Sequence, residues 1–215
     1  MNIAVPFMAR GASQLPVGVS ITRDERGLES FLDPACAAAV WERDVRRDAL
    51  RWLARLDPTQ LPSGRIVVQP TSVEATVNHL CDIAEMPQGA SRDWLVQDIA
   101  TLAQTFAGLM QADFLRLRLQ AVTTNACRKF HLDAITGRLV CTYRGTGTQY
   151  GTSRNGEDPQ HVHTVPTGAP ILLRGSLWPA IPSNGLLHRS PPIEETGETR
   201  LVLVLDPVSD LERAE

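Results

Sequence analysis

The hydrophobic pattern of the chain changes period at about Asp113, and this change constrains the fold class. Before it, apolar residues recur at three- and four-residue spacing, which is typical of helices that bury one face. After it, the segment Phe114–Thr123 alternates apolar and polar side chains for most of its length, the pattern of a half-buried strand. No helical pattern separates the strands that follow, so a parallel α/β sheet is not expected. We predict an α+β protein in which helices precede a sandwich or barrel of short strands.

The apolar spacing in the first half of the chain predicts three helices. The first runs from Asp33, a capping residue, to Leu56, and its polar face interleaves acids with bases, as solvated helix faces do. A short strand at Arg65–Gln69 precedes the second helix, which Thr71 or Ser72 caps. Ser91 caps the third helix, which spans Arg92–Gln111.

The second half predicts further strands, separated by turns rich in Gly and Asn. They lie at Arg128–Asp133, Arg138–Arg144, Ala169–Arg174, Gly185–His188 and Arg200–Asp206. The polar interval Thr146–Pro166 is long for a connection, so we expect a functional lid or a disordered loop there.

The same patterns divide the chain into four segments within one structural domain overall. We expect an irregular arm at 1–28, in which Met1–Phe7 could add an edge strand limited by Pro6. A helical region at 29–112 is expected to pack on a strand-built core at 113–207, and a tail follows at 208–215.

Composition excludes several classes of protein. The chain has 215 residues, 43% hydrophobic and 21% charged, which suits a globular core. A net charge of −3 gives no basic face for nucleic acid, and no apolar run is long enough to span a membrane. The N-terminus has no basic region before its short apolar stretch, so we expect no signal peptide and a cytoplasmic location. Four cysteines without a C-x-x-C pair are expected to be reduced and mostly buried.

Three residues in the second half form a candidate metal site. His131 and Asp133 are at i and i+2, so on a strand they point to the same face. His188 must come from a neighbouring strand. Two imidazoles and one carboxylate leave about three positions of an octahedral Fe(II) open, enough for a bidentate 2-oxo acid and dioxygen.

An arginine follows this set at the start of the last apolar strand. The guanidinium of Arg200 would bind a carboxylate with two parallel hydrogen bonds, which is a geometrically selective interaction. Arg189, directly after His188, has two interpretations. It either serves an anionic substrate near the metal or points outward by strand alternation.

These motifs resemble those of the Fe(II)/2-oxoglutarate-dependent oxygenases. The resemblance covers about residues 113–207 and rests on HLD, the distal histidine and the arginine that follows it. The surrounding segments RLQAVTTNACRKFHLD, GRLVCTYRGTGTQY, VPTGAPILLRGSLW and GLLHRSPPIEETGETRLVLVLD resemble the strands that carry this motif in the family. The whole chain also resembles a family of uncharacterised bacterial proteins with a domain of unknown function, often encoded near zinc-homeostasis genes, which indicates metal biology without naming a substrate.

The resemblance implies a fold, an activity and a role for each matching residue. The fold would be a double-stranded β-helix, a cupin-like jelly roll, with the N-terminal helices packed on it. His131, Asp133 and His188 would bind Fe(II), and Arg200 would hold the distal carboxylate of 2-oxoglutarate. Tyr143 or Thr142, on a neighbouring strand, would donate to the same carboxylate. The enzyme would couple oxidative decarboxylation of 2-oxoglutarate to oxidation of a small-molecule or peptide substrate.

Two other classes of function remain open from the sequence. A non-enzymatic zinc-binding or metal-homeostasis protein would use the same three ligands, with Cys127, His161 or His163 as accessory ligands. In an extended segment, His161 and His163 would share a face and could bind zinc with an acid such as Glu157 or Asp158. A cofactor-free interaction module would use the helical region at 29–112, which carries no catalytic motif. Neither the substrate nor the oligomeric state can be predicted.

Overall fold

The computed structural model describes residues 16–153, 156–179 and 185–208, which form three α-helices and ten strands. The helices are α1 (Arg47–Arg55), α2 (Val73–Ile83) and α3 (Ala90–Met110). The strands are β1 (Val19–Thr22), β2 (Ala38–Trp41), β3 (Gly64–Val68), β4 (Phe114–Val122), β5 (Gly137–Arg144), β6 (Gln149–Thr152), β7 (His163–Thr164), β8 (Pro170–Arg174), β9 (Leu186–Arg189) and β10 (Arg200–Val208). The predicted combination of helices with a large sheet is confirmed.

Two sheets organise the strands. The larger has seven strands in the order β1-β2-β8-β5-β10-β4-β3, and the smaller has three in the order β7-β6-β9. All neighbouring strands are antiparallel except β1 and β2, which pair in parallel. Strand β10 lies at the centre of the larger sheet, where it pairs with β4 on one side and β5 on the other.

The two faces of the larger sheet bury different sets of side chains. Alternate residues of β4, β5 and β10 share one core with the three helices, and these include Leu115, Leu117, Leu119, Leu139, Cys141, Tyr143, Leu201, Leu203 and Leu205. The other face of β5, β8 and β10 packs against the smaller sheet through Val140, Ile171, Leu173 and Val202 on one side and Tyr150 and Leu186 on the other. The interior between the two sheets is where the candidate site lies.

Among the predicted helices, α2 and α3 form close to their expected bounds, and the first is mostly wrong. Residues Ala38–Trp41 form strand β2 of the larger sheet, and only Arg47–Arg55 is α-helical. Ala38, Ala39 and Val40 are all buried because β2 is covered on both faces, so the alternation typical of a strand is missing. The third helix begins after Gly89 rather than at a Ser91 cap.

Several segments that read as irregular belong to the sheets. Strand β1 lies within the predicted arm, and strands β6 and β7 lie within the interval predicted as a lid or disordered loop. Conversely, the strand predicted at Arg128–Asp133 is reduced to a single bridge at His131. Strands β1, β2 and β3 all precede residue 113, so the larger sheet includes segments outside the predicted core at 113–207, and β3 corresponds to the strand predicted at Arg65–Gln69. The strand considered at Met1–Phe7 and the tail from residue 209 lie outside the described residues.

Within the described ranges, none of the helices combines the length and the apolar character that a membrane span requires.

Candidate metal centre

The backbone brings the two candidate histidine ligands together. The His131 amide donates to the His188 carbonyl at 3.0 Å, and the His188 amide donates back to the His131 carbonyl at 3.1 Å. This pair extends the smaller sheet, because His188 on β9 also pairs with Tyr150 on β6. The imidazole rings lie on one face, with their centroids 4.5 Å apart.

Three side chains converge at this point. The ligand atoms of His131, Asp133 and His188 all lie within 4.8 Å of one another, and this is the one such group of three or more ligands found in the described residues. Asp133 Oδ1 is 3.4 Å from His131 Nε2, and Asp133 Oδ2 is 3.1 Å from His188 Nε2. The structure therefore places the three predicted ligands in one cluster.

The tautomer of His131 suits a metal ligand. Its Nδ1 lies 2.9 Å from the Lys129 carbonyl oxygen, which can only accept a hydrogen bond. Nδ1 therefore carries a proton, and Nε2 is the ring nitrogen that faces Asp133 and His188. A hydrogen bond from the far ring nitrogen to a backbone carbonyl commonly orients metal-binding histidines.

Asp133 has a buried oxygen that makes no hydrogen bond within the part of the chain that the structure describes. Oδ2 lies 2.7 Å from Arg138 Nη1 and 3.1 Å from His188 Nε2, but neither contact has hydrogen-bond geometry. Burial alone would raise the pKa of Asp133, yet His188 and Arg138 outweigh it and lower the pKa to about 2. This carboxylate is ionised at neutral pH and has an acceptor available in the cluster, so the residues present fit a divalent cation.

A chain of ion pairs across neighbouring strands of the larger sheet contacts Asp133, and it was not predicted from the sequence. Arg138 on β5 binds Asp206 on β10 through Nε and Nη2 at 2.6 and 2.9 Å, while its Nη1 contacts Asp133. Arg118 on β4 reaches the same Asp206 at 3.3 Å. The alternating Arg-Leu-Arg-Leu pattern of β4 was the available signal, but it equally fits a solvent-exposed strand face.

The predicted co-substrate arginine occupies the same interior at the other end of β5. Arg200 is 2% exposed, and it donates through Nε to the Thr146 carbonyl at 2.6 Å and through Nη2 to Thr142 Oγ1 at 3.2 Å. Thr142 is four residues along β5 from Arg138, so both side chains point to the same face.

The charge of Arg200 is not balanced by a described acid. No described carboxylate lies within ion-pair distance of its guanidinium, and burial lowers its pKa to about 10 despite the nearby Glu198. Gly145 lets the Arg200 side chain lie close against the backbone. It has a φ of +79°, and a Cβ there would lie 2.9 Å from Arg200 Cγ. A buried guanidinium of this kind is stabilised when an anion binds to it.

Tyr143 faces away from this interior, and the prediction that it shares a carboxylate with Arg200 is corrected. Its hydroxyl donates to Asp98 Oδ2 of α3 at 2.6 Å, on the helix side of the larger sheet. Asp98 also receives two hydrogen bonds from Arg43, at 2.7 and 2.6 Å. Strand alternation puts Thr142 and Tyr143 on opposite faces, which leaves Thr142 as the hydroxyl beside Arg200.

The accessory residues lie outside the three-ligand cluster. The Cys127 thiol is exposed and His161 is exposed, while His163 stacks on Tyr150 with ring centroids 5.4 Å apart. No second group of three ligands, with Glu157 or Asp158, forms in the parts of the chain that the structure covers. Arg189 points outward, over the Phe130 ring at 4.4 Å and onto Gln149, so strand alternation is the interpretation that fits.

Comparison with known proteins gives a family and a fold. The model of a family described as protein of unknown function (DUF1826) matches residues 22–206. No curated protein matches the chain.

Among solved structures, the complex of Arabidopsis thaliana dioxygenase for auxin oxidation 1 with 2-oxoglutarate aligns with a TM-score of 0.50 and 10% identity, over 91% of this chain and 94% of the other. The rice dioxygenase for auxin oxidation aligns with a TM-score of 0.47 and 12% identity, over 91% of this chain and 84% of the other. A Pseudomonas putida prolyl-4-hydroxylase aligns with a TM-score of 0.47 and 14% identity, over 85% of this chain and 98% of the other. The predicted resemblance to the Fe(II)/2-oxoglutarate-dependent oxygenases is confirmed at the level of the fold.

Proposed function

We propose that this chain, which belongs to the family of proteins of unknown function DUF1826, is an Fe(II)- and 2-oxoglutarate-dependent oxygenase. The observation that carries the proposal is Arg200, a buried guanidinium without a described acid in ion-pair distance, in the same interior between the two sheets as the three candidate metal ligands. A metal ion and a dicarboxylate together complement these two features. The fold shared with the Arabidopsis thaliana complex supports the choice of dicarboxylate.

The site residues would divide between binding the metal and binding the dicarboxylate. His131, Asp133 and His188 would hold Fe(II) on one side and leave its other positions open. Arg200 and Thr142 would bind the distal carboxylate of 2-oxoglutarate through charge-assisted hydrogen bonds. When bound, Fe(II) and 2-oxoglutarate with dioxygen supply the chemistry that couples decarboxylation to oxidation of a substrate C–H bond.

The chain itself supplies position and exclusion of water. His131 is oriented by the Lys129 carbonyl, and Arg138 holds the carboxylate of Asp133 from behind. The buried side chains Val140, Ile171, Leu186 and Val202 keep the interior between the two sheets apolar. An apolar wall strengthens the interaction of Arg200 with an anion, because the effective dielectric constant is lower there than in water.

Equilibrium binding with Mn(II), a redox-inert replacement for Fe(II), tests the proposal without turnover. We expect 2-oxoglutarate to bind wild-type protein only when Mn(II) is present, and at least tenfold tighter than 2-oxobutyrate, which lacks the distal carboxylate. Arg200→Gln should bind Mn(II) normally and bind the two acids equally. Binding of 2-oxoglutarate that needs no metal, or a preference that survives Arg200→Gln, would contradict the proposal.

A zinc protein without catalytic activity is the second candidate, because two imidazoles and one carboxylate also form zinc sites. Metal analysis of protein purified without added metal separates the two. Tightly held zinc whose content is unchanged in Arg200→Gln, together with no metal-dependent 2-oxoglutarate binding, would favour the zinc protein.

A further inference from the structure

A line of charged side chains leads from the candidate metal centre to the edge of the larger sheet. Asp133 contacts Arg138, Arg138 binds Asp206, and Asp206 contacts Arg118 on β4. Arg118 is the direct cross-strand partner of Arg65 on β3, the edge strand, so these two side chains share a face. The metal site is therefore continuous with a cationic strip on β4 and β3.

The strip lies on the open part of the interior face. On the opposite face of β4, Leu115, Leu117 and Leu119 are fully buried under the helices. The smaller sheet packs against β2, β8, β5 and β10 through the second core cluster, which has no member from β3 or β4. Arg65 is exposed and Arg118 is half-buried, so among the described residues this face is accessible from solvent beside the metal site.

The positive charge of the strip exceeds what the described acids balance. Asp206 already accepts two hydrogen bonds from Arg138, and Arg118 reaches it at 3.3 Å through one nitrogen. Among the described residues, the buried Arg118 Nε has no hydrogen-bond partner and Arg65 has no ion pair with an acid. Burial, followed by the charges of Arg138 and Arg65, lowers the pKa of Arg118.

This arrangement costs stability in the unliganded protein. Like charges directly opposite on neighbouring strands are destabilising, and an unpaired buried donor adds a further cost. An oxyanion placed between the two guanidinium groups would remove both costs, because each fork can donate two hydrogen bonds to a carboxylate or phosphate.

We propose that Arg118 and Arg65 bind an anionic group of the substrate, a carboxylate or a phosphate, and thereby position the substrate beside the metal. This inference rests on the proposed oxygenase function and names the substrate class for the same site. The co-substrate is held at the other end of β5 by Arg200, so the two anions would bind to different arginines. A small anionic molecule fits better than nucleic acid, since the chain carries a net charge of −3.

Titration of the metal-free, 215-residue chain with inorganic phosphate, and separately with acetate, tests the inference. Thermal unfolding is followed in chelator at constant ionic strength, with chloride replaced by the anion. The variants are Arg65→Gln and Arg118→Gln. Arg51→Gln is the matched control, because it removes the same charge from an exposed position on α1, on the other side of the sheet.

We expect saturable stabilisation of wild-type protein and Arg51→Gln by at least one of the two anions, and the tighter anion identifies the group. The apparent Kd should rise at least tenfold in Arg65→Gln and Arg118→Gln. Without anion, Arg65→Gln should unfold at the same temperature as wild type or higher, which a purely structural arginine would not allow.

These experiments test the anion site at Arg65 and Arg118 separately from the oxygenase activity. Equal stabilisation of all four proteins, or no saturable effect on wild type, would overturn the anion site whatever the result with Mn(II). Loss of metal-dependent 2-oxoglutarate binding in Arg65→Gln would also overturn it, because the strip would then belong to the co-substrate. Anion binding at the strip without any metal-dependent 2-oxoglutarate binding would leave the strip in place and refute the oxygenase.

Discussion

His131 and His188 are joined by two reciprocal backbone hydrogen bonds, of 3.0 and 3.1 Å, although they lie far apart in the chain. The spacing of the two imidazoles is therefore set by the main chain and does not depend on the bound ion. A histidine can be removed here without removing the backbone pair that positions its partner, so substitutions at this site report on ligation.

Metal-linked stability should depend on His188 and not on His161. Wild-type protein in Mn(II) at about one hundred times its Kd should gain about 2.7 kcal/mol in free energy of unfolding, because the ion binds only the folded state. His188→Ala should lose this gain. His161→Ala, exposed and outside the cluster, should keep it. Urea unfolding with and without Mn(II) measures the difference, and an equal gain in both variants would exclude His188 as a ligand.

Thr142→Val and Tyr143→Phe should differ in their effect on 2-oxoglutarate binding. Thr142→Val removes the hydroxyl that accepts from buried Arg200, so it should weaken Mn(II)-dependent 2-oxoglutarate binding by roughly fivefold and also cost about 1–3 kcal/mol of stability. Tyr143→Phe removes a donor to buried Asp98 and should cost about 1–3 kcal/mol of stability, with binding unchanged. Calorimetric binding and urea unfolding of both variants test this, and a binding defect confined to Tyr143→Phe would reverse the assignment.

Removing one partner of the buried Arg43–Asp98 pair should destabilise the protein strongly, because it leaves the other charge buried and uncompensated. The two side chains are 8% and 11% exposed and joined by two hydrogen bonds, so Asp98→Asn should cost about 3–5 kcal/mol. The matched control is the exposed Arg46–Asp48 pair, 44% and 57% exposed, where Asp48→Asn should change stability far less because water screens the two charges. Equal losses in urea unfolding would mean that burial does not set the strength of these pairs.

Asp133 should make the metal-free protein sensitive to strong acid. Its pKa is lowered from 3.8 to about 2 in the folded protein, so its contribution is fully present above the unfolded value and is lost as pH falls towards 2. Burial lowers the pKa of the neighbouring His188, and its contact with Asp133 opposes that shift. The stability difference between wild type and Asp133→Asn, measured in chelator, should shrink from pH 4 to pH 2. A difference that stays constant would refute this.

The cluster of His131, Asp133 and His188 was predictable from the sequence because its pattern is local or tied to strong strand signals. His131 and Asp133 are two residues apart, and the strands around Val140, Leu172 and Leu203 have long apolar runs. Helices α2 and α3 were predictable for the same reason, since each shows a continuous apolar stripe.

The rest depends on pairing between distant segments. Gln149–Thr152 lacks an apolar run and is a strand because it pairs with β9 and β7. Arg138 gains its role only through Asp133 and Asp206, which come from two other parts of the chain. A solvent-facing arginine and one that holds a ligand have the same local pattern, so the strip formed by Arg65 and Arg118 could not be recognised before the strands were paired.

The most direct test of the oxygenase is an anaerobic titration of Fe(II)-loaded protein with 2-oxoglutarate, followed by visible absorption. Chelation of the metal by the 2-oxo acid should give a weak charge-transfer band that saturates with 2-oxoglutarate, is absent in Asp133→Ala and requires higher concentrations in Arg200→Gln. A wild-type protein that binds Fe(II) yet shows no such band at millimolar 2-oxoglutarate would contradict the proposed function.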